Sequence, residues 1–137
     1  MSIAKWATPS ARSANIASTT LNSLANGSES TAVTYDNTTN RDLYGVVTIK
    51  LGSITPAAGG SITLRVTLND GTDTADRVGG DQYVIPLTTT TGAKVAVQNM
   101  VRIYPFSNRL SVVNNAGVTL NASGNEIYVT PWNEDIV

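Results

Sequence analysis

Between Ser61 and Leu68 apolar and polar residues alternate without a break. Ile62, Leu64, Val66 and Leu68 fall on one side, and Ser61, Thr63, Arg65 and Thr67 on the other. Successive side chains of a β-strand point to opposite faces, so this run is legible as a half-buried strand. The same period recurs twice. Leu43, Gly45, Val47, Ile49 and Leu51 share one face of a second run, with Tyr44, Val46, Thr48 and Lys50 on the other. Val95, Val97, Val101 and Ile103 alternate with Gln98 and Arg102 in a third. Shorter strands are predicted at residues 31–35, 82–87, 109–113, 118–120 and 126–130. Eight short strands divided by turn signals predict an all-β chain, an antiparallel β-sandwich of jelly-roll or immunoglobulin-like topology.

The turn signals have a chemical basis. Asp36, Asn37 and Asn40 hydrogen-bond their own backbone or accept a left-handed conformation. Pro56 fixes φ just ahead of the permissive Gly59 and Gly60, and Asn/Gly-rich stretches at residues 114–117 and 121–125 read as hairpin connections. No period of 20–50 residues repeats, so a solenoid or propeller is excluded.

The first thirty residues differ from the rest. Their apolar residues are scattered at Ile3, Trp6, Ile16, Leu21 and Leu24 among small and polar ones. Residues 14–24 have some helical spacing, but Ser, Thr and Asn crowd them and no cap or stop is convincing. Pro9 interrupts what precedes it. Residues 1–30 therefore read as an extended arm with at most one short strand or helical turn. The Asn26-Gly27-Ser28 turn then leads into a sandwich over residues 31–137.

The 137 residues include no histidine and no cysteine. That removes the serine–histidine–aspartate and cysteine–histidine arrangements, thiolate sites and ordinary zinc cages. Only 14% of the residues are charged, with a net charge of −1, against about 25% in a typical soluble domain. A nucleic-acid partner needs a clustered basic patch, so none is expected. No apolar run reaches membrane-spanning length, and no basic segment followed by an apolar one marks a secretory signal.

Few chemical sites survive inspection. Asn69, Asp70, Asp73, Asp76 and Asp81 make residues 69–81 the best candidate for a calcium loop. Their spacing lacks the regular alternation and closing glutamate of such a loop, so a solvated connection is the better reading. Glu126, Asp42 and Asp81 are too scattered to imply a working carboxylate pair. Lys50 and Lys94 have no serine at catalytic spacing. Three Asn-x-Ser/Thr triplets, at Asn26, Asn37 and Asn121, are chance matches in so Asn-rich a chain. No catalytic residue, cofactor or metal is expected.

Aromatic residues carry the remaining signal. Trp6, in the arm with Lys5, Pro9 and Arg12, reads as a residue that docks on a neighbouring subunit, because tryptophan buries much area and keeps one N–H to pair. Trp132, after Tyr128 and Pro131, reads equally as a binding anchor and as a lid on the chain's own core. Tyr104 and Phe106 flank Pro105 at a possible exposed tip. Lys5, Trp6, Pro9, Arg12, Tyr104, Phe106 and Trp132 are thus the expected protein interface. A carbohydrate platform from Tyr83, Tyr104, Phe106 or Trp132 is the rival reading.

Three short motifs resemble a group of small virion proteins of tailed bacteriophages. They are Tyr35-Asp36-Asn37-Thr38-Thr39-Asn40-Arg41-Asp42-Leu43-Tyr44, Pro56-Ala57-Ala58-Gly59-Gly60-Ser61-Ile62-Thr63-Leu64 and Thr130-Pro131-Trp132-Asn133-Glu134. The likeness covers roughly residues 30 to 134 in order. It implies a β-sandwich component of the particle, a capsid decoration (cement) protein on the head surface, made in the host cytoplasm. Its implied partners are the major capsid protein and neighbouring copies of itself, as a dimer or trimer, with no nucleic acid or membrane. The arm would order on docking to a neighbour. Placement in the tail or at a fibre attachment is the alternative within the same class.

Overall fold

The computed structural model describes residues 3–68 and 81–136. Nine strands lie among them: β1 (Ala4–Trp6), β2 (Val33–Asp36), β3 (Tyr44–Ile54), β4 (Ser61–Leu68), β5 (Asp81–Pro86), β6 (Gly92–Arg102), β7 (Ser107–Asn115), β8 (Glu126–Trp132) and β9 (Glu134–Ile136). They form a four-stranded sheet ordered β2-β7-β4-β5, a three-stranded sheet ordered β6-β3-β8, and a β1-β9 ribbon, all antiparallel. The chain is a β-sandwich. Its core is the facing apolar set of the two larger sheets, including Val47, Ile49 and Leu51 from β3, Ile62 and Leu64 from β4, Val112 from β7, and Ile127 and Val129 from β8. Gly45 belongs to the same inner row, where a Cβ would collide with the Ile103 side chain.

Residues 4–16 continue the layering. The β1–β9 pairing sets Ala4, Lys5 and Trp6 opposite Ile136, Asp135 and Glu134. The N–H groups of Ala7, Ser10, Ser13 and Ile16 then donate to the carbonyls of Asn133, Pro131, Val129 and Ile127, at 2.8–3.0 Å. Three residues of the N-terminal segment thus span two of β8, a bulge at every step. Side chains complete the edge: Ser13 Oγ accepts from the Val129 N–H and Asn15 Oδ1 from the Ile127 N–H, each at 3.0 Å. Pro131 turns its missing N–H to this edge, where it costs no ladder bond to β3.

With this segment beside β8, each layer has four members. Among β2–β8 only β4 and β5 are consecutive within one sheet; every other step crosses to the opposite sheet. An immunoglobulin sandwich has three within-sheet steps, so the arrangement is the jelly-roll one.

Four details differ from the sequence reading. Residues 3–30, read as part of an arm, lie on the body, and Ala17 and Leu21 are fully buried in its core. A run of tight turns places them there, through bonds from Thr20, Asn22 and Leu24 N–H to the carbonyls three residues back. Residues 118–120 are not a strand: the Leu120 N–H bonds to the Leu24 carbonyl instead. Leu43, expected on the inner face, precedes β3 and is exposed. The fourth difference is the largest. Between Gly45 and Val47 the β3–β6 register slips, leaving Asn99 and Met100 opposite Val46, with Met100 at φ 54°. This bulge reverses the parity of β6. Val101 and Ile103 face the core, whereas Val95 and Val97 face solvent and Lys94 and Ala96 point inward. The Lys94 ammonium is met by the hydroxyls of Thr88 and Thr90 and the Thr90 carbonyl.

The outer face of the three-stranded sheet

The face of β3 turned from the core carries Tyr44, Val46, Thr48 and Lys50, in register with Trp132, Thr130, Tyr128 and Glu126 of β8. Trp132 lies between two rings. Its centroid is 4.6 Å from Tyr44, nearly parallel at 23°, and 4.4 Å from Trp6, tilted at 44°. Trp132 is 6% exposed and Trp6 66% exposed, so the stack has a closed middle and an open end. Both separations lie at the short end of the spacing that aromatic pairs favour.

A groove of about 490 Å3 runs between the N-terminal segment and the sheet, lined by Trp6, Ala7, Pro9, Val46, Asn99, Met100 and Trp132. The bulge in β6 puts Met100 there. Beyond it Val97 and Val95 stand opposite Thr48 and Lys50, both more than 40% exposed. Aromatic, Met and Val side chains therefore form one outward strip.

Cations border this strip. The Arg12 guanidinium sits 4.0 Å from the Tyr128 ring centroid, and Lys50 Nζ lies 5.2 Å from the same ring. Lys50 also pairs with Glu126 at 3.4 Å. A hydrogen bond from the Tyr128 hydroxyl holds the Glu126 carboxyl below the usual carboxylate range, with Lys50 and Arg12 acting in the same direction. That bond pushes the Tyr128 hydroxyl up. Arg102 stands opposite Tyr44 across the β6–β3 ladder.

Trp6, Pro9 and Trp132 thus meet in one groove, and Arg12 lies farther along β8. Lys5 sits on β1 opposite Asp135. Tyr104 and Phe106 do not line the groove. They belong to the β6–β7 connection, whose carbonyls are bound by the buried amides of Asn37 and Asn108. Arg102 lies 5.5 Å from the Tyr104 ring, and the Tyr104 hydroxyl is 3.4 Å from Asp81. Tyr44, Val46, Asn99 and Met100 were not singled out from sequence. The apolar start of the β3 outer face was the signal for the first two; the bulge that aims Met100 left none.

Two of the three sequence motifs meet in space. Asn133 Nδ2 donates to Asp42 Oδ1 at 2.9 Å, and the Leu43 N–H donates to Asn133 Oδ1 at 2.7 Å. Asn37 closes the first motif as a loop, exchanging hydrogen bonds with the Asp42 backbone. Asp42 is buried and its Oδ2 has no partner among the described residues; burial pushes its carboxyl up. Asp42 and Glu126 lie near opposite ends of β8, roughly 20 Å apart at 3.3 Å per residue. Among the described residues no group of three or more acids is placed to hold a metal ion. Of the calcium-loop candidate at residues 69–81, all but Asp81 lies outside the described residues. No helix among them is long and apolar enough to cross a membrane. Comparison with protein families, curated proteins and solved structures finds no match.

Proposed function

We propose that this chain is a non-enzymatic virion structural protein of a tailed bacteriophage, a capsid decoration (cement) protein. It seats the outer face of its three-stranded sheet on the major capsid protein. The observation that carries this reading is the outward strip of Trp6, Met100, Val97 and Val95. Large apolar side chains grouped on one face mark a surface that another protein covers. Arg12 and Arg102 at the border give a polar rim around an apolar centre, the usual anatomy of a protein interface. Many weak contacts repeated on a symmetric shell then add up, so each copy needs only modest affinity.

The test adds purified protein to particles lacking it. Saturable binding that raises the particles' melting temperature is expected. Val97→Asp puts a charge into the strip without touching the core, and it is expected to weaken binding about tenfold, or 1.4 kcal/mol. Unchanged binding by this variant would contradict the proposed face. The open ring of Trp6 beside Asn99 favours one second reading, a carbohydrate-binding module that stacks a sugar there. A glycan screen that is positive with wild type and negative with Trp6→Ala would establish it in place of the first.

A further inference from the structure

We infer that residues 3–13 are an exchangeable edge strand, which leaves the β8 edge of its own chain and pairs with the same edge of a second copy. This is independent of the reading as a decoration protein. It rests on how unequally the segment is held. None of residues 5–13 belongs to the buried core cluster, which starts at Ala17. From Ala7 to Ser13 only three N–H groups bond to residues 129–133, one in every three residues. Its two largest apolar side chains, Ile3 and Trp6, are 63% and 66% exposed. An open groove of about 490 Å3 separates Trp6 and Pro9 from Val46, Asn99 and Met100 of the sheet.

The edge it covers has the opposite character. β8 turns the carbonyls of Ile127, Val129 and Pro131 outward, with the N–H groups of Ile127 and Val129; Ser10 and Ser13 of the segment satisfy those of Pro131 and Val129, and Asn15 and Ile16 at its end satisfy those of Ile127. A bare edge is a template for pairing with another chain. So the edge must be covered, while nothing ties the cover to one particular chain. A second copy is the occupant because it carries the same strand. Exchange replaces each contact by its equal: Lys5 opposite Asp135, Trp6 on Trp132 and Arg12 on Tyr128 all form again between copies. The pivot is at residues 14–16, just ahead of Ala17 and Leu21, which hold the rest of the N-terminal region in the core.

The chain has no cysteine, so engineered thiols report without background. Lys5 and Asp135 are directly opposed and exposed. Lys5→Cys and Asp135→Cys chains carrying different tags are mixed, incubated just below their melting temperature and oxidised. Lys50→Cys and Glu126→Cys, opposed across β3 and β8, serve as the control pair within a fixed ladder. Disulfide-linked heterodimers several-fold above the control are expected. Heterodimers no more abundant than the control, with the Lys5→Cys/Asp135→Cys double variant closing only within its own chain, would overturn the exchange. Either result leaves binding to particles to its own test.

Discussion

Asp42 is the most conspicuous single group in the fold. It is a buried carboxylate that accepts one hydrogen bond from Asn133 and leaves its second oxygen unpartnered among the described residues. Its pKa is raised in the folded state, so the fold favours the protonated form. The stabilising contribution of protonation is complete below the ordinary aspartate pKa and is lost as pH rises through the folded value. Wild type is therefore expected to gain melting temperature relative to Asp42→Asn as pH falls from 7 toward 4. A relative loss on acidification would contradict the burial of this charge. The tryptophans separate just as clearly. Trp132→Ala is expected to cost about 3–5 kcal/mol in denaturant unfolding, as for other buried aromatic truncations. Trp6→Ala should cost only about 0.5–1.5 kcal/mol, the worth of an aromatic pair. Met100 holds a left-handed φ that costs a non-glycine residue about 1–2 kcal/mol. Met100→Gly is expected to preserve or raise stability while weakening particle binding, because the side chain lines the groove. A variant both unstable and fully binding would remove Met100 from the interface.

Among the elements, β4 and most of β3 were legible because their alternation is uninterrupted and their inner residues face the core without a slip. β6 was legible as a strand but not in its facing. A single bulge reverses which valines are buried, and no residue at Asn99-Met100 announces it. The edge segment was illegible as part of the sheet for a different reason. Its register runs in threes, so no period of two is present to find. Serine and asparagine, which weaken a helical or strand reading, are there the acceptors that satisfy β8. Hydrogen exchange tests this directly. The amides of Ala7, Ser10, Ser13 and Ile16 are expected to be protected above those of their neighbours in the segment. Ser13→Ala is expected to cost about 1–3 kcal/mol, the penalty of an unsatisfied buried donor, and to release the Val129 amide. Uniform exchange along residues 7–16 would mean that the ladder does not form. Of the interface residues read from sequence, Trp6, Pro9 and Trp132 share the groove. Tyr104 and Phe106 instead belong to a loop braced locally by the Asn108 amide and at long range by the Asn37 amide, which binds the Tyr104 carbonyl.

Taken together, the two layers make an asymmetric body. The four-stranded sheet presents an exterior that is mostly polar apart from Val84, and there Arg65 is paired with Glu29 at 2.8 Å and Glu29 also receives the Ser111 hydroxyl. The three-stranded sheet presents the aromatic and valine strip. Such one-sidedness suits a protein laid flat on a repeating surface, with its apolar side down. Mass-spectrometric quantification of this chain against the major capsid protein, in purified mature particles, bears on that proposal most directly. Copies in the hundreds per particle, in fixed proportion to the capsid subunits, are the expected result. Particles that contain none, or a dozen or fewer, would contradict its placement on the head.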